Sequence, residues 1–217
     1  MQKKLIITIY ILIIIFIIII CLINNKKDPY KDYKTIGNYD DLEKINNNYV
    51  ELKQKPIENQ IEEKEYIKKL SYSLILGYSL YSSPFTDEEI VIKDMEELEL
   101  LNLTYIFLTN NNASACIKED FLKEMLYKYF RIKKRVFSNE VKEYLYDKKK
   151  KSYCFNSVDF DDIKLDLINY QKYDDSIQLK YIENNINEDE KYEWNIKFSY
   201  DKEGYYLRSF SNIIISN

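Results

Sequence analysis

The chain has 217 residues, 46% hydrophobic and 31% charged, with 32 basic against 36 acidic side chains, a formal net charge of −4 and no histidine. The missing histidine excludes Ser-His-Asp and Cys-His catalysis and the common zinc enzyme motifs, and three scattered glycines (Gly37, Gly77, Gly204) cannot build a phosphate-cradling loop. The acidic balance argues against a nucleic-acid partner, and no motif implies a cofactor.

The strongest signal comes first. Leu5 to Ile23 (LIITIYILIIIFIIIICLI) form an apolar run between Lys3-Lys4 and Asn24-Asn25-Lys26-Lys27. As a helix this run spans about 28 Å, close to the thickness of a bilayer's hydrocarbon core. Residues 5–23 therefore read as one transmembrane anchor behind a cytoplasmic tail of residues 1–4. A core helix would need a polar face. A cleaved signal would need a small-residue site, and no Ala, Gly or Ser lies in or directly after the run. Lipid attachment at Cys21 is disfavoured by the bulky Ile18-Ile19-Ile20 before it. Lysines flank both ends, but a lone anchor ahead of one long domain places the bulk of the chain outside the cytoplasm.

Residues 24–56 read as a linker and short stalk. The first part, 24–39, is polar, contains Pro29 and Gly37 and shows no period. Leu42, Ile45, Tyr49 and Leu52 then form a narrow stripe, suited either to packing on the chain's own domain or to a short dimerising seam. The extracytoplasmic domain is expected over 57–217. Its first helix runs from Ile57 to Tyr81, with Ile61, Leu70, Leu74, Tyr78 and Tyr81 on its apolar face. Thr86 and Glu89 have the spacing of a capping box, with Phe85 and Ile90 as its hydrophobic staple. They predict a helix from Asp87 to about Leu108 that buries Ile90, Leu98, Leu101, Tyr105 and Leu108, followed by a loop over 109–114.

Glu119 and Asp120 open another helix, whose face is Phe121, Leu122, Met125, Leu126, Tyr129 and Phe130 and whose last turn carries Lys128 and Arg131. A short helix after Ser138 uses Val141, Tyr144 and Leu145 and ends at Lys148–Lys151. The period then changes from 3.6 to 2. Tyr192, Trp194, Ile196, Phe198 and Tyr200 alternate with polar residues, as do Ile177, Leu179 and Tyr181. Asp201 to Gly204 is a hairpin loop leading into Tyr205 to Ile215, and 163–172 offers a further strand, with a weaker one at Lys151 to Phe155.

The plan is α+β: about four helices form a layer packed on a C-terminal antiparallel sheet of four to five strands. In element order alone, residues 86 to 215 are similar to small cone-shaped folds of the NTF2-like or cystatin-like groups. That likeness assigns no residue and no activity.

Lys128 to Lys151 hold ten basic and three acidic residues, and Asp159 to Glu203 hold six basic and thirteen acidic. Lys128, Arg131, Lys133, Lys134, Arg135, Lys148, Lys149, Lys150 and Lys151 are therefore candidates for contact with an anionic surface, a lipid headgroup or an acidic wall polymer. Complementarity between the helical layer and the sheet, or plain solvation, accounts equally for the same asymmetry. Cys116 and Cys154 are either one disulfide or two buried thiols. Of the 22 tyrosines and other aromatics, Tyr206 and Phe210 are placed by the alternation on the wet face, where they are available to a ligand. The carboxylate groups at Asp159, Asp161 and Asp162 and at Glu188 to Glu190 lack the spacing of a calcium loop. The expected role is a membrane-anchored binding or adaptor domain, its partner an envelope protein or anionic polymer. The rivals are a small enzyme with an Asp or Tyr acid-base group in a cone-shaped sheet, and a tether that dimerises through the stalk.

Overall fold

The computed structural model describes residues 28–46, 51, 53, 57–81, 88–110, 113–133, 136–157, 163–185 and 191–215. The anchor expected over 5–23 lies outside them, and among the described residues no helix is long and apolar enough to cross a membrane. The chain divides at Tyr33 into two units. Of the first, residues 28–33 are described as a turn, in which the Tyr30 amide donates to Asp28 Oδ1 (2.9 Å).

The second unit, Lys34–Asn217, is α+β, and its described residues form five α-helices and two sheets. The smaller sheet has the order β1-β3-β5-β4, from β1 (Lys34–Ile36), β3 (Ala115–Lys118), β4 (Tyr146–Asp147) and β5 (Ser152–Phe155). The larger has the order β2-β9-β8-β7-β6, from β2 (Ile90–Val91), β6 (Ile163–Lys172), β7 (Ser176–Asn185), β8 (Lys191–Asp201) and β9 (Gly204–Ile215). The helices are α1 (Tyr39–Ile45), α2 (Gln60–Tyr81), α3 (Glu97–Thr109), α4 (Glu119–Phe130) and α5 (Asn139–Leu145).

The folded unit thus begins at Lys34, and residues 34–46 are not part of a linker. Strand β1 pairs in parallel with β3 and buries Ile36. Helix α1 starts at Asn38, whose side chain accepts from the Asp41 amide (2.9 Å), and buries Leu42 completely. Leu42 is spent on the core, so a stalk seam through it has lost its first member; Tyr49 and Leu52 lie outside the described residues.

The helix predicted from Asp87 does not form over the described residues before Glu97, while Phe85 and Thr86 of the predicted staple and capping box lie outside them. Glu89 precedes a strand, because Ile90 and Val91 pair with Phe210 and Ser209 of β9. A 3-10 turn at Ile92–Asp94 follows, and α3 begins only at Glu97. Three apolar assignments fail for the same kind of reason: Ile61 is 78%, Tyr144 72% and Leu98 39% exposed. On α2 the predicted Leu70 and Leu74 are buried, joined by Tyr66, Ile67 and Ile75, while the side chains of Tyr78 and Tyr81 lie outside the described ones. Helix α3 is buried almost all round from Leu100 to Thr109, as a central helix must be. In α4 all six predicted core residues are buried.

Cys116 and Cys154 face each other across β3 and β5, and their sulfurs are bonded (S–S 2.06 Å). Tyr105 of α3 stacks on Phe155 of β5 (4.8 Å), joining the small sheet to the core. In the large sheet, Ile177, Leu179 and Tyr181, Trp194, Ile196 and Phe198, and Tyr205, Leu207 and Phe210 share that core with the helices. A bulge between β8 and β9 leaves Arg208 without a register partner and reverses the alternation, so Phe210 turns inward, opposite to its predicted place.

Candidate functional site

The basic segment does not form one patch. Lys128, 17% exposed at its side chain, donates to Tyr39 Oη (3.0 Å) and lies 3.6 Å from the Glu51 carboxylate. Arg131 follows α4 in the left-handed conformation (φ 58°) and grips the β8–β9 hairpin. Its Nε and Nη2 donate to Asp201 Oδ2 and Oδ1 (3.0 and 2.9 Å), and Nη2 also donates to the Gly204 carbonyl (3.0 Å). Arg131 stacks on the half-buried Tyr206 and holds the Asp201 carboxyl below its ordinary range. Lys133 lies over the Tyr127 ring. Lys148, Lys149 and Lys151 are exposed, but they belong to a turn at the other end of α4, where the Lys151 carbonyl accepts from the Glu119 amide (3.0 Å). The length of α4, about 18 Å, separates the two groups. Lys150 is half-buried, 4.0 Å from Asp147. Lys134 and Arg135, like the two carboxylate groups near 160 and 189, lie outside the described residues.

Two carboxylates that the sequence did not single out are buried. Glu63 of α2 is fully enclosed: its Oε1 accepts from Tyr205 (2.5 Å) and Lys172 (3.0 Å), its Oε2 from Tyr170 (2.9 Å) and Lys172 (2.8 Å). Burial, then the carboxylate itself, pushes both phenols well above their ordinary value. Every oxygen of Glu63 is engaged, and the cluster ties α2 to β6 and β9. Glu183 of β7 is 4% exposed and accepts from Trp194 Nε1 (2.6 Å); desolvation raises its pKa against the indole's stabilisation. Trp194 stands between Tyr181 and Asn212 in the register, and both ends of the fully buried Asn212 amide have no hydrogen-bond partner among the described residues.

The opposite face of the large sheet opens to solvent. A hollow of 470 Å³ is floored there by Gln178 and Lys180 of β7, Asn195 and Lys197 of β8, and Ser209 and Ser211 of β9, with Asn169, Gln171 and Glu89 at its sides. A second, of 440 Å³, adjoins it through Glu89, Lys197 and Ser209 and continues past Lys93, Asp94, Arg131, Tyr206 and Arg208. Ser209, 1% exposed, donates to Glu89 Oε1 and fixes the wall between them. Lys180 is paired with Glu193 (2.7 Å). Lys93, Lys197 and Arg208 have no ion-pair partner among the described residues, and Gln178 and Asn169 make no side-chain hydrogen bond there. Alternation marks Gln178, Lys180, Asn195 and Lys197 as wet, but nothing in the sequence signals that residues 89–94 fold back beside them. Among the described residues no three His, Cys, Asp or Glu side chains converge as a metal site. Neither family models nor curated proteins nor solved structures give any match to this chain.

Proposed function

We propose that this is a single-pass membrane protein whose folded unit lies outside the cytoplasm and acts by binding a partner, without turnover. Residues 5–23 supply the anchor through their length and uniform apolarity. The Cys116–Cys154 bond suits an oxidising compartment. The observation that carries the binding reading is the division of labour between the two faces of the large sheet. The carboxylate with a raised pKa, Glu183, sits on the filled aromatic face against Trp194, whereas the open hollows are lined by amides, hydroxyls and cations together with two other carboxylates, Glu89 and Asp94. An acid-base enzyme needs its perturbed carboxylate in the cavity that receives substrate, and Glu183 lines neither hollow. A cone-shaped arrangement, with α2 lying along the large sheet, is the finer reading of the fold; the Glu63 cluster supports it.

Alkaline carbonate treatment of membranes is expected to leave the intact chain in the pellet, and external protease on whole cells to digest residues beyond 34. Release by carbonate, or protection of that body while an outward-facing control is cut, overturns the reading.

A further inference from the structure

We infer that the paired hollows on the open face of the large sheet bind an acidic polysaccharide of low charge density, an inference that rests on the binding reading above. The strands set the chemistry. Side chains that alternate away from the core place Gln178, Asn195 and Ser211 close together on neighbouring strands, beside the buried Ser209 that holds Glu89. A carboxamide offers donors and an acceptor in one plane, and a sugar hydroxyl both donates and accepts. A flat array of amides and serines therefore matches a run of ring hydroxyls.

Charge selects among hydroxyl-rich ligands. Lys197 stands where the hollows meet, and Arg208 and Lys93 border the second; all three cations lack an ion-pair partner among the described residues. Glu89 and Asp94 line the same hollow and keep its net positive charge small. A nucleic-acid duplex, with one charge about every 1.7 Å, would press phosphates onto both carboxylates. A polysaccharide with at most one carboxylate per sugar can set its charges against the cations and its hydroxyls against Glu89 and Asp94. A lipid surface asks for apolar side chains at the rim, yet the apolar lining residues here are buried or, at Val91, half-buried.

The test titrates the full chain in detergent micelles with polygalacturonate, with dextran as the uncharged glycan. Polygalacturonate is expected to bind with an affinity that falls as salt rises, and dextran not to bind. Changing Lys197→Gln together with Arg208→Gln should weaken binding by about tenfold or more. Changing Lys148→Gln together with Lys149→Gln, at the far end of α4, should leave it unchanged. The emission of the single tryptophan, Trp194, reports that each variant keeps its core. Undiminished binding by the first double variant, equal loss in the second, or preferential capture of duplex DNA or phosphatidylglycerol vesicles overturns the inference. Tight dextran binding also overturns the acidic ligand but leaves a binding domain in place, whereas failure of the carbonate and protease tests removes the anchored reading whatever the glycan result.

Discussion

Two buried side chains make opposite demands on their surroundings. Glu183 is held where its charged form is disfavoured, so the folded state binds its proton more tightly than the unfolded chain does. The folded protein carries the extra proton between the ordinary carboxylate pKa and the raised one, and stability therefore falls as pH rises through that window. Glu183→Gln keeps an acceptor for Trp194 Nε1 and removes the charge. The variant should match the parent in acid and become the more stable of the two as pH increases, as read by Trp194 emission in urea at a series of pH values; a parallel pH dependence in both proteins contradicts this. Asn212 is simpler, a buried amide without hydrogen-bond partners among the described residues, beside an indole. Asn212→Leu should raise the unfolding free energy by about 1 kcal/mol, because a desolvated polar group is replaced by apolar surface. A loss of stability in urea would show that the amide is satisfied.

At the scale of the element, length decided what was legible. Strands β6 to β9 run over ten to twelve residues, long enough for a period of two to declare itself, and α4 shows all six of its core positions. The strands of the small sheet have only two to four residues, too few to display any period, and only the weak strand expected at Lys151 to Phe155 anticipated one of them, β5. The helix predicted from Asp87 is absent from residues 89–96 because a local capping signal, worth about 1 kcal/mol, competes with pairing to β9 and the burial of Ile92. The candidate site was only half visible for a related reason. Lys128 and Arg131 look like free charge along the chain, yet Asp201, the acid that Arg131 binds, lies 70 residues further on. The small sheet also carries its own fastener. Reducing the Cys116–Cys154 bond frees a loop of 38 residues and should lower stability by about 3 to 4 kcal/mol. Urea midpoints with and without reductant measure it, and unchanged midpoints exclude it.

For the whole molecule, the boundary of the folded unit matters most. Leu42 and Ile36 are fully buried although they precede residue 57, where the sequence pattern would start the domain. Leu42→Ala should therefore cost about 3 kcal/mol, the usual cost of a cavity in a packed core, and a fragment starting at 57 should unfold at lower urea than one starting at 34. Equal midpoints for the two fragments would return α1 to the linker. The bond between β3 and β5 has a further effect on how the protein falls apart. Helices α4 and α5 lie inside the covalent ring it closes, so a single backbone nick anywhere between Cys116 and Cys154 yields two pieces that still migrate as one on a non-reducing gel and separate only once thiol is added.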